Sequence, residues 1–117
     1  MNTTLDTRDS ATIVMATGRL DFEASDPFQK ELETVIAQAA TRHAAVLVNC
    51  AGIDYVSSAG LRVFLVAARS AKAANVALSV YSLSVAVKQV FDVSGFGRII
   101  NVYEDEASAL AGVGSAA

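Results

Sequence analysis

Short apolar runs typical of β-strands alternate with helical patterns along this chain, and this alternation constrains the fold more than any other feature. Val46-Leu47-Val48 has the unbroken apolar character of a central strand covered on both faces. The segment before it is amphipathic, because apolar residues recur there at helical spacing, at Phe28, Leu32, Val35, Ile36 and Ala39. Strands separated by helices pair in parallel through right-handed crossovers. The sequence therefore predicts an α/β fold.

The predicted elements follow one another as ββαβαβαβα, with about five strands in a mixed, mostly parallel sheet and about four helices. Thr3–Thr7 and Thr12–Thr17 flank the polar turn Arg8-Asp9-Ser10 and form a hairpin. The later elements are predicted from apolar runs, caps and glycine stops. The first helix begins at Ser25-Asp26-Pro27, is capped by Ser25 or Asp26, and ends near Arg42. It is followed by a strand at residues 46–48, a loop from Ala51 to Val56, a helix from Ala59 to Ala74 and a strand from Val76 to Tyr81. The next helix is capped by Ser84 and ends near Asp92, before Ser94-Gly95; a strand from Ile99 to Tyr103 and a terminal helix with Glu104-Asp105-Glu106 in its first turn complete the chain.

The composition is that of one well-packed domain. Of the 117 residues, 53% are hydrophobic and 18% are charged, which predicts a substantial core. Residues Ala111 to Ala117 are predicted to be a frayed tail. The net charge of −3 and the scattered basic residues argue against nucleic acid as a partner. The apolar runs are too short to cross a bilayer, and the polar start from Met1 to Asp9 is unlike a signal peptide. The expected location is the cytoplasm.

The residues offer no catalytic or metal-binding constellation. Cys50 ends an apolar run and is predicted to be buried, whereas the single histidine, His43, stands in solvent where a helix should end. The two do not form a metal site at any usual ligand spacing. Asp21, Asp54 and Asp92 are better explained as capping or solvated residues than as a cation site. Since nucleotide-binding loops are also missing, we predict a non-enzyme without a metal or cofactor.

The segment from Ile53 to Leu61 is the most informative stretch of the chain. Its residue types describe a helix start, in which Ser57 or Ser58 caps the helix and Gly60 allows close packing of the backbone. An exposed serine at a helix N-terminus has a second property. The free N–H groups and the helix dipole stabilise an added phosphate, so that modification need not unfold the domain.

The block Asp54-Tyr55-Val56-Ser57-Ser58-Ala59-Gly60-Leu61-Arg62 resembles the phosphorylation motif of the STAS-domain anti-sigma factor antagonists, which are bacterial partner-switching regulators. Gly18-Arg19-Leu20-Asp21 is similar to the Gly-x-Leu-Asp motif that follows the second strand of this family. Residues 87–95, followed by Ile99-Ile100, are similar to its late helix and the strand after it. The resemblance spans about residues 5–110 and implies a single STAS-like domain.

The resemblance implies that Ser58, two residues before Gly60, is the phosphoacceptor. The family commonly has Asp directly before the modified serine, whereas this chain has Ser57, which becomes a rival acceptor. Asp21 corresponds to the family's acidic residue near the modification site, and we expect it to lie close to Ser58. Asp54 and Gly60 flank the same site.

The implied mechanism is partner switching. The unmodified protein binds an anti-sigma factor with a GHKL-type serine kinase domain, phosphorylation of Ser58 releases it, and a PP2C-type phosphatase resets the switch. Arg62, Val66 and Arg69 share a helical face and form a candidate docking stripe; an ordinary solvated face is the alternative. Two other functions stay open. In the first, the chain is a structural STAS subunit of a transport or signalling assembly; in the second, it is a sensor of a small molecule or nucleotide.

Overall fold

The computed structural model describes the backbone of residues 1–116 and the side chains of residues 1–112. Within this range the element order is the predicted one, and the α/β fold class is confirmed. The elements are β1 (Asn2–Thr7), β2 (Ala11–Leu20), α1 (Phe22–Arg42), β3 (Ala45–Val56), α2 (Ser58–Ala73), β4 (Leu78–Tyr81), α3 (Val85–Val93), a 3-10 turn (Phe96–Arg98), β5 (Asn101–Tyr103) and α4 (Glu106–Ala116).

The strands form one sheet in the order β1-β2-β3-β4-β5. The β1–β2 hairpin is antiparallel, and the other three pairings are parallel. Each of β2, β3 and β4 is followed by a helix, so α1, α2 and α3 all begin at the carboxyl edge of the sheet, where parallel α/β folds usually place their functional sites.

The two faces of the sheet carry cores of different size. The larger core lies between the sheet and α1, α2 and α3, while the smaller one lies under α4 and includes Ile13, Leu47 and Ala109. In the smaller core the buried Tyr81 donates a hydrogen bond to Glu106 Oε1 at 3.1 Å. Burial, followed by this hydrogen bond, raises the pKa of Tyr81 to about 12, so the phenol stays neutral and ties α4 to the sheet.

A row of aromatic rings aligns the three helices on the larger core. Phe28, Phe64 and Phe91 are each the seventh residue of their helices. The ring of Phe64 meets that of Phe28 edge-on at a centroid distance of 6.0 Å and that of Phe91 at 5.4 Å. Because the contacts run through Phe64, α2 lies between α1 and α3, and the three helices are in step along their axes.

The predicted loop from Ala51 to Val56 is wrong, because these residues form the second half of β3. The last four residues of β2 pair along this extension, from Thr17 opposite Gly52 to Leu20 opposite the last residue of β3. Two register shifts in this pairing each leave an extra residue in β3. They disturb the alternation of inward and outward side chains along β3, which hides the strand from a search for period-two patterns.

The predicted start of the first helix is also wrong. α1 begins at Phe22, and its N-cap is Asp21, whose carboxylate accepts the backbone N–H of Ala24 at 3.0 Å. Pro27 is therefore inside the helix, where its missing N–H removes one backbone hydrogen bond. Ser25 is buried and does not cap, since its hydroxyl donates to the carbonyl oxygen of Asp21 at 2.6 Å.

The last two strands are shorter than predicted. β4 begins at Leu78 rather than Val76, and β5 covers only Asn101–Tyr103. The backbone N–H groups of Ile99 and Ile100 both donate to the carbonyl oxygen of Phe96, so these residues close the 3-10 turn instead of joining the sheet.

The C-terminal residues form α4, which the structure follows to Ala116. Five residues of the predicted frayed tail, residues 113–117, have side chains outside the described ones, and fraying stays a prediction. Just before α4, Asp105 accepts the backbone N–H of Ser108 at 2.8 Å, which lowers the pKa of its carboxyl. Among the described residues, no helix combines the length and apolar character needed to span a membrane.

Candidate functional site

Ser57 joins α2 to the end of β2. It is the N-cap of α2, and its hydroxyl accepts the backbone N–H of Gly60 at 3.1 Å. The same hydroxyl donates to the carbonyl oxygen of Leu20 at 3.0 Å, and the backbone N–H of Ser57 donates to that oxygen at 2.9 Å. Ser57 is half-buried, and its hydroxyl is already used both as donor and as acceptor.

Ser58 is the first residue of α2 and is exposed. Its hydroxyl makes no hydrogen bond within the described part of the chain, in contrast to that of Ser57. Two adjacent serines thus have different surroundings: one hydroxyl holds the backbone, and the other is open to a reagent from solution.

Replacing Ser57 with alanine is expected to lower the free energy of unfolding by about 1–2 kcal/mol, because an N-cap and a hydrogen bond between elements are lost together. Ser58→Ala is the matched control and should change stability by less than about 0.5 kcal/mol, as surface substitutions usually do. Urea unfolding of both variants measures the difference. Equal stabilities would contradict the structural role of the Ser57 hydroxyl.

The helix cap is repeated at three neighbouring helices. Asp21, Ser57 and Ser84 each cap their helix by accepting the backbone N–H three residues later. The cap predicted at Ser84 is therefore confirmed, and between the two serines of the phosphorylation motif Ser57 is the cap.

The first residues of α1, α2 and α3 are Phe22, Ser58 and Val85, which we call the first-residue row. All three residues lie at the carboxyl edge of the sheet, and α2 is the central helix, because the Phe64 ring contacts the rings of both other helices. Phe22 is 82% exposed and Val85 is 77% exposed, values that are high for apolar side chains. The helices on either side of α2 thus each begin with an apolar residue that faces solvent.

Sequence reasoning missed the two apolar members of this row. An apolar residue directly after a cap, such as Val85 after Ser84, is the signal that could have found them. It also missed a contact beside the site, in which the guanidinium carbon of Arg19 lies 4.2 Å from the centroid of the Tyr55 ring. This cation–π pair joins the ends of β2 and β3.

The other predicted site residues lie at the same end of the fold but differ in their surroundings. Asp21 directly follows Leu20, whose carbonyl oxygen accepts two hydrogen bonds from Ser57, and its carboxylate accepts the backbone N–H of Ala24 in α1. The closeness of Asp21 to Ser58 stays a prediction. Asp54 is exposed on β3, and Gly60 is buried. We retain these residues as flanking the site.

The predicted docking stripe is only partly open to solvent. Arg62 and Arg69 are exposed on α2, and Val66 between them is half-buried. The two arginines therefore contribute most of what this face offers to a partner.

The described residues hold no group of three or more histidine, cysteine, aspartate or glutamate side chains arranged so that they could bind a metal ion. Cys50 is buried as predicted, and burial raises the pKa of its thiol to about 12, so it remains protonated and unreactive. His43 is exposed at the C-terminal end of α1, as predicted, with a left-handed φ of 54°.

Comparison with known proteins identifies the family. The STAS domain model matches residues 2–109. BtrV of Bordetella bronchiseptica, to which the role of anti-sigma factor antagonist is ascribed, is 30% identical over 95% of this chain and 93% of its own. The anti-sigma-F factor antagonist RsfA of Mycobacterium tuberculosis is 27% identical over 94% of this chain and 85% of its own.

Solved structures show the same fold. The anti-sigma factor antagonist SpoIIAA of Bacillus, in its unphosphorylated form, superposes with a TM-score of 0.77 over 97% of both chains at 21% identity. Its phosphorylated form superposes with a TM-score of 0.70 over 96% of this chain and 99% of that one, at 20% identity. The chain thus belongs to the STAS domain family that includes the anti-sigma factor antagonists, and it is a regulatory domain rather than an enzyme.

Proposed function

We propose that this protein is an anti-sigma factor antagonist that is switched by phosphorylation of Ser58. The observation that carries the proposal is the contrast between the two adjacent serines. The Ser57 hydroxyl is held by Gly60 and Leu20, whereas the Ser58 hydroxyl is exposed and has no partner among the described residues. A kinase that approaches the start of α2 therefore meets Ser58 first.

The start of α2 is suited to carry the added phosphate. The first intrahelical hydrogen bond runs from the N–H of Leu61 to the carbonyl oxygen of Ser57, and Ser57 also caps Gly60. The N–H groups of Ser58 and Ala59 are left without an intrahelical acceptor, as at every helix start. These groups and the positive end of the helix dipole stabilise a dianion, so the modified protein stays folded.

The modification is a phosphoryl transfer in which the partner supplies the chemistry. The Ser58 oxygen attacks the γ-phosphorus of ATP, the bond from that phosphorus to the bridging oxygen of ADP breaks, and the hydroxyl proton passes to a base of the kinase. We propose that the kinase is a GHKL-type anti-sigma factor and that a PP2C-type phosphatase hydrolyses the phosphoserine. The names of BtrV and RsfA support an anti-sigma factor as the partner, and the two forms of SpoIIAA support phosphorylation as the modification.

The first-residue row suggests how the phosphate ends the complex. We propose that an anti-sigma factor that reaches Ser58 also covers Phe22 and Val85, which begin the helices on either side of α2. Burying these apolar side chains favours the complex of the unmodified protein. A dianion at the centre of the same surface loses its hydration on docking, which strongly disfavours the complex.

Phosphate mapping tests the proposal directly. The protein is incubated with its anti-sigma factor kinase and ATP, and the modified residue is identified by mass spectrometry. We expect phosphate on Ser58, loss of incorporation in Ser58→Ala, and retained incorporation in Ser57→Ala. Modification of Ser57 alone, or none with an active kinase, would contradict the switch.

A further inference from the structure

We infer that Arg62 is the internal counter-ion of phosphorylated Ser58. The inference rests on the proposed modification of Ser58 and adds the residue that receives its charge. Ser58 and Arg62 lie four residues apart in α2, and both are exposed. Residues at this spacing are neighbours on one face of a helix.

The direction of helical side chains favours contact between the two groups. Side chains on an α-helix lean towards its N-terminus, so the long side chain of Arg62 covers the turn that begins at Ser58. The order is also favourable, because an anion four residues before a cation agrees with the helix dipole. A guanidinium offers parallel N–H donors that match two phosphate oxygens.

Arg62 is uncommitted in the unmodified protein. It takes part in none of the ion pairs found among the described residues. The other cations near this edge have neighbours: Arg19 lies over the Tyr55 ring, and Lys88 lines a groove with Glu104 on the β5 side of α3. Arg62 is therefore the cation that a phosphate on Ser58 meets on its own helix.

The pairing gives phosphorylation a double effect on the docking surface. It adds a dianion at Ser58, and it draws Arg62 out of the candidate docking stripe. A partner that uses the Arg62 cation then loses this contact in the same step that introduces the repulsive charge. The pairing also stabilises the dianionic form of the phosphate, which lowers the second pKa of the phosphoserine.

The pairing is measured without a kinase, by installing phosphoserine at position 58 of the full chain during translation. The second ionisation of the phosphate is then followed by phosphorus NMR as a function of pH. Arg62→Gln is expected to raise the titration midpoint by about 0.3 pH units, the size of one exposed helical ion pair. Arg69→Gln lies two turns further along the same face and should leave the midpoint unchanged.

An unchanged midpoint in Arg62→Gln would overturn the inference, as would a shift found in Arg19→Gln instead. Urea unfolding of each phosphorylated variant checks that the fold is retained. Because the phosphoserine is installed at position 58 without a kinase, a failure of the pairing can be distinguished from a failure of the proposed function. The latter is shown by a kinase that leaves Ser58 unmodified.

Discussion

Replacing Val85 with alanine is expected to weaken binding of the unphosphorylated protein to the anti-sigma factor about 10-fold, and replacing Phe22 at least as much. Both side chains begin the helices on either side of α2 and are mostly exposed, so we expect a docked kinase to remove them from water. Neither contributes to the core, and the free energy of unfolding should change by less than about 0.5 kcal/mol. Calorimetric titration with the anti-sigma factor and urea unfolding measure the two quantities.

The matched control is Val93→Ala. Val93 is 89% exposed and ends the same helix, α3, on which Val85 is the first residue. It therefore has the same side chain and a similar exposure at the opposite end of the helix. Equal losses of affinity in Val85→Ala and Val93→Ala would contradict the first-residue row as the docking surface.

A negative charge introduced at Ser58 also tests whether this surface binds the anti-sigma factor. Ser58→Asp should weaken binding while unfolding stays cooperative, because a carboxylate at the first turn of α2 agrees with the helix dipole. Phosphoserine at this position should weaken binding further, since its charge at neutral pH is larger. Wild-type affinity in the phosphorylated protein would rule out eviction by charge.

Gly60→Ala is expected to lower the free energy of unfolding by about 1–3 kcal/mol, as overpacked core positions do. A Cβ atom on Gly60 would lie 2.7 Å from both Cγ and the carbonyl oxygen of Leu20. That oxygen also accepts the two hydrogen bonds from Ser57. The added Cβ therefore has to push α2 away from β2, which strains these two hydrogen bonds. The higher helix propensity of alanine offsets part of this loss.

The control for this substitution is Gly97→Ala, because a Cβ at Gly97 has no atom within 4 Å. It should change stability by less than about 0.5 kcal/mol. Urea unfolding compares the two variants, and kinase-dependent phosphorylation reports whether the shifted α2 still presents Ser58. A Gly60→Ala protein as stable as the wild type would show that the close approach to Leu20 is easily relieved.

The alternation of apolar runs and helical patterns was enough to predict the α/β class and the order of the elements. Those features depend on local periodicity, which tertiary contacts rarely override over long segments. The cap at Ser84 and the burial of Cys50 were predicted for the same reason, since each follows from neighbouring residues.

Predictions failed where distant contacts decide local structure. The residues from Ala51 to Val56 are a strand only because the end of the long β2 pairs with them. The sequence predicts the start of α1 at Ser25-Asp26-Pro27, because proline is favoured in the first helical turn, although Asp21 supplies an earlier cap. In both cases the local signal was compatible with two structures, and pairing or capping selected one.

At the candidate site, the Ser57-Ser58 pair shows the same contrast between what local sequence predicts and what distant contacts decide. The sequence by itself determined that two adjacent serines begin a helix, because capping preferences act over three or four residues. Only the tertiary structure decided that Ser57 is held by Leu20, a residue far away in the chain, and that Ser58 is left exposed at the same edge of the sheet as Phe22 and Val85. These relations depend on how separate helices and strands pack against one another, and no local pattern carries that information.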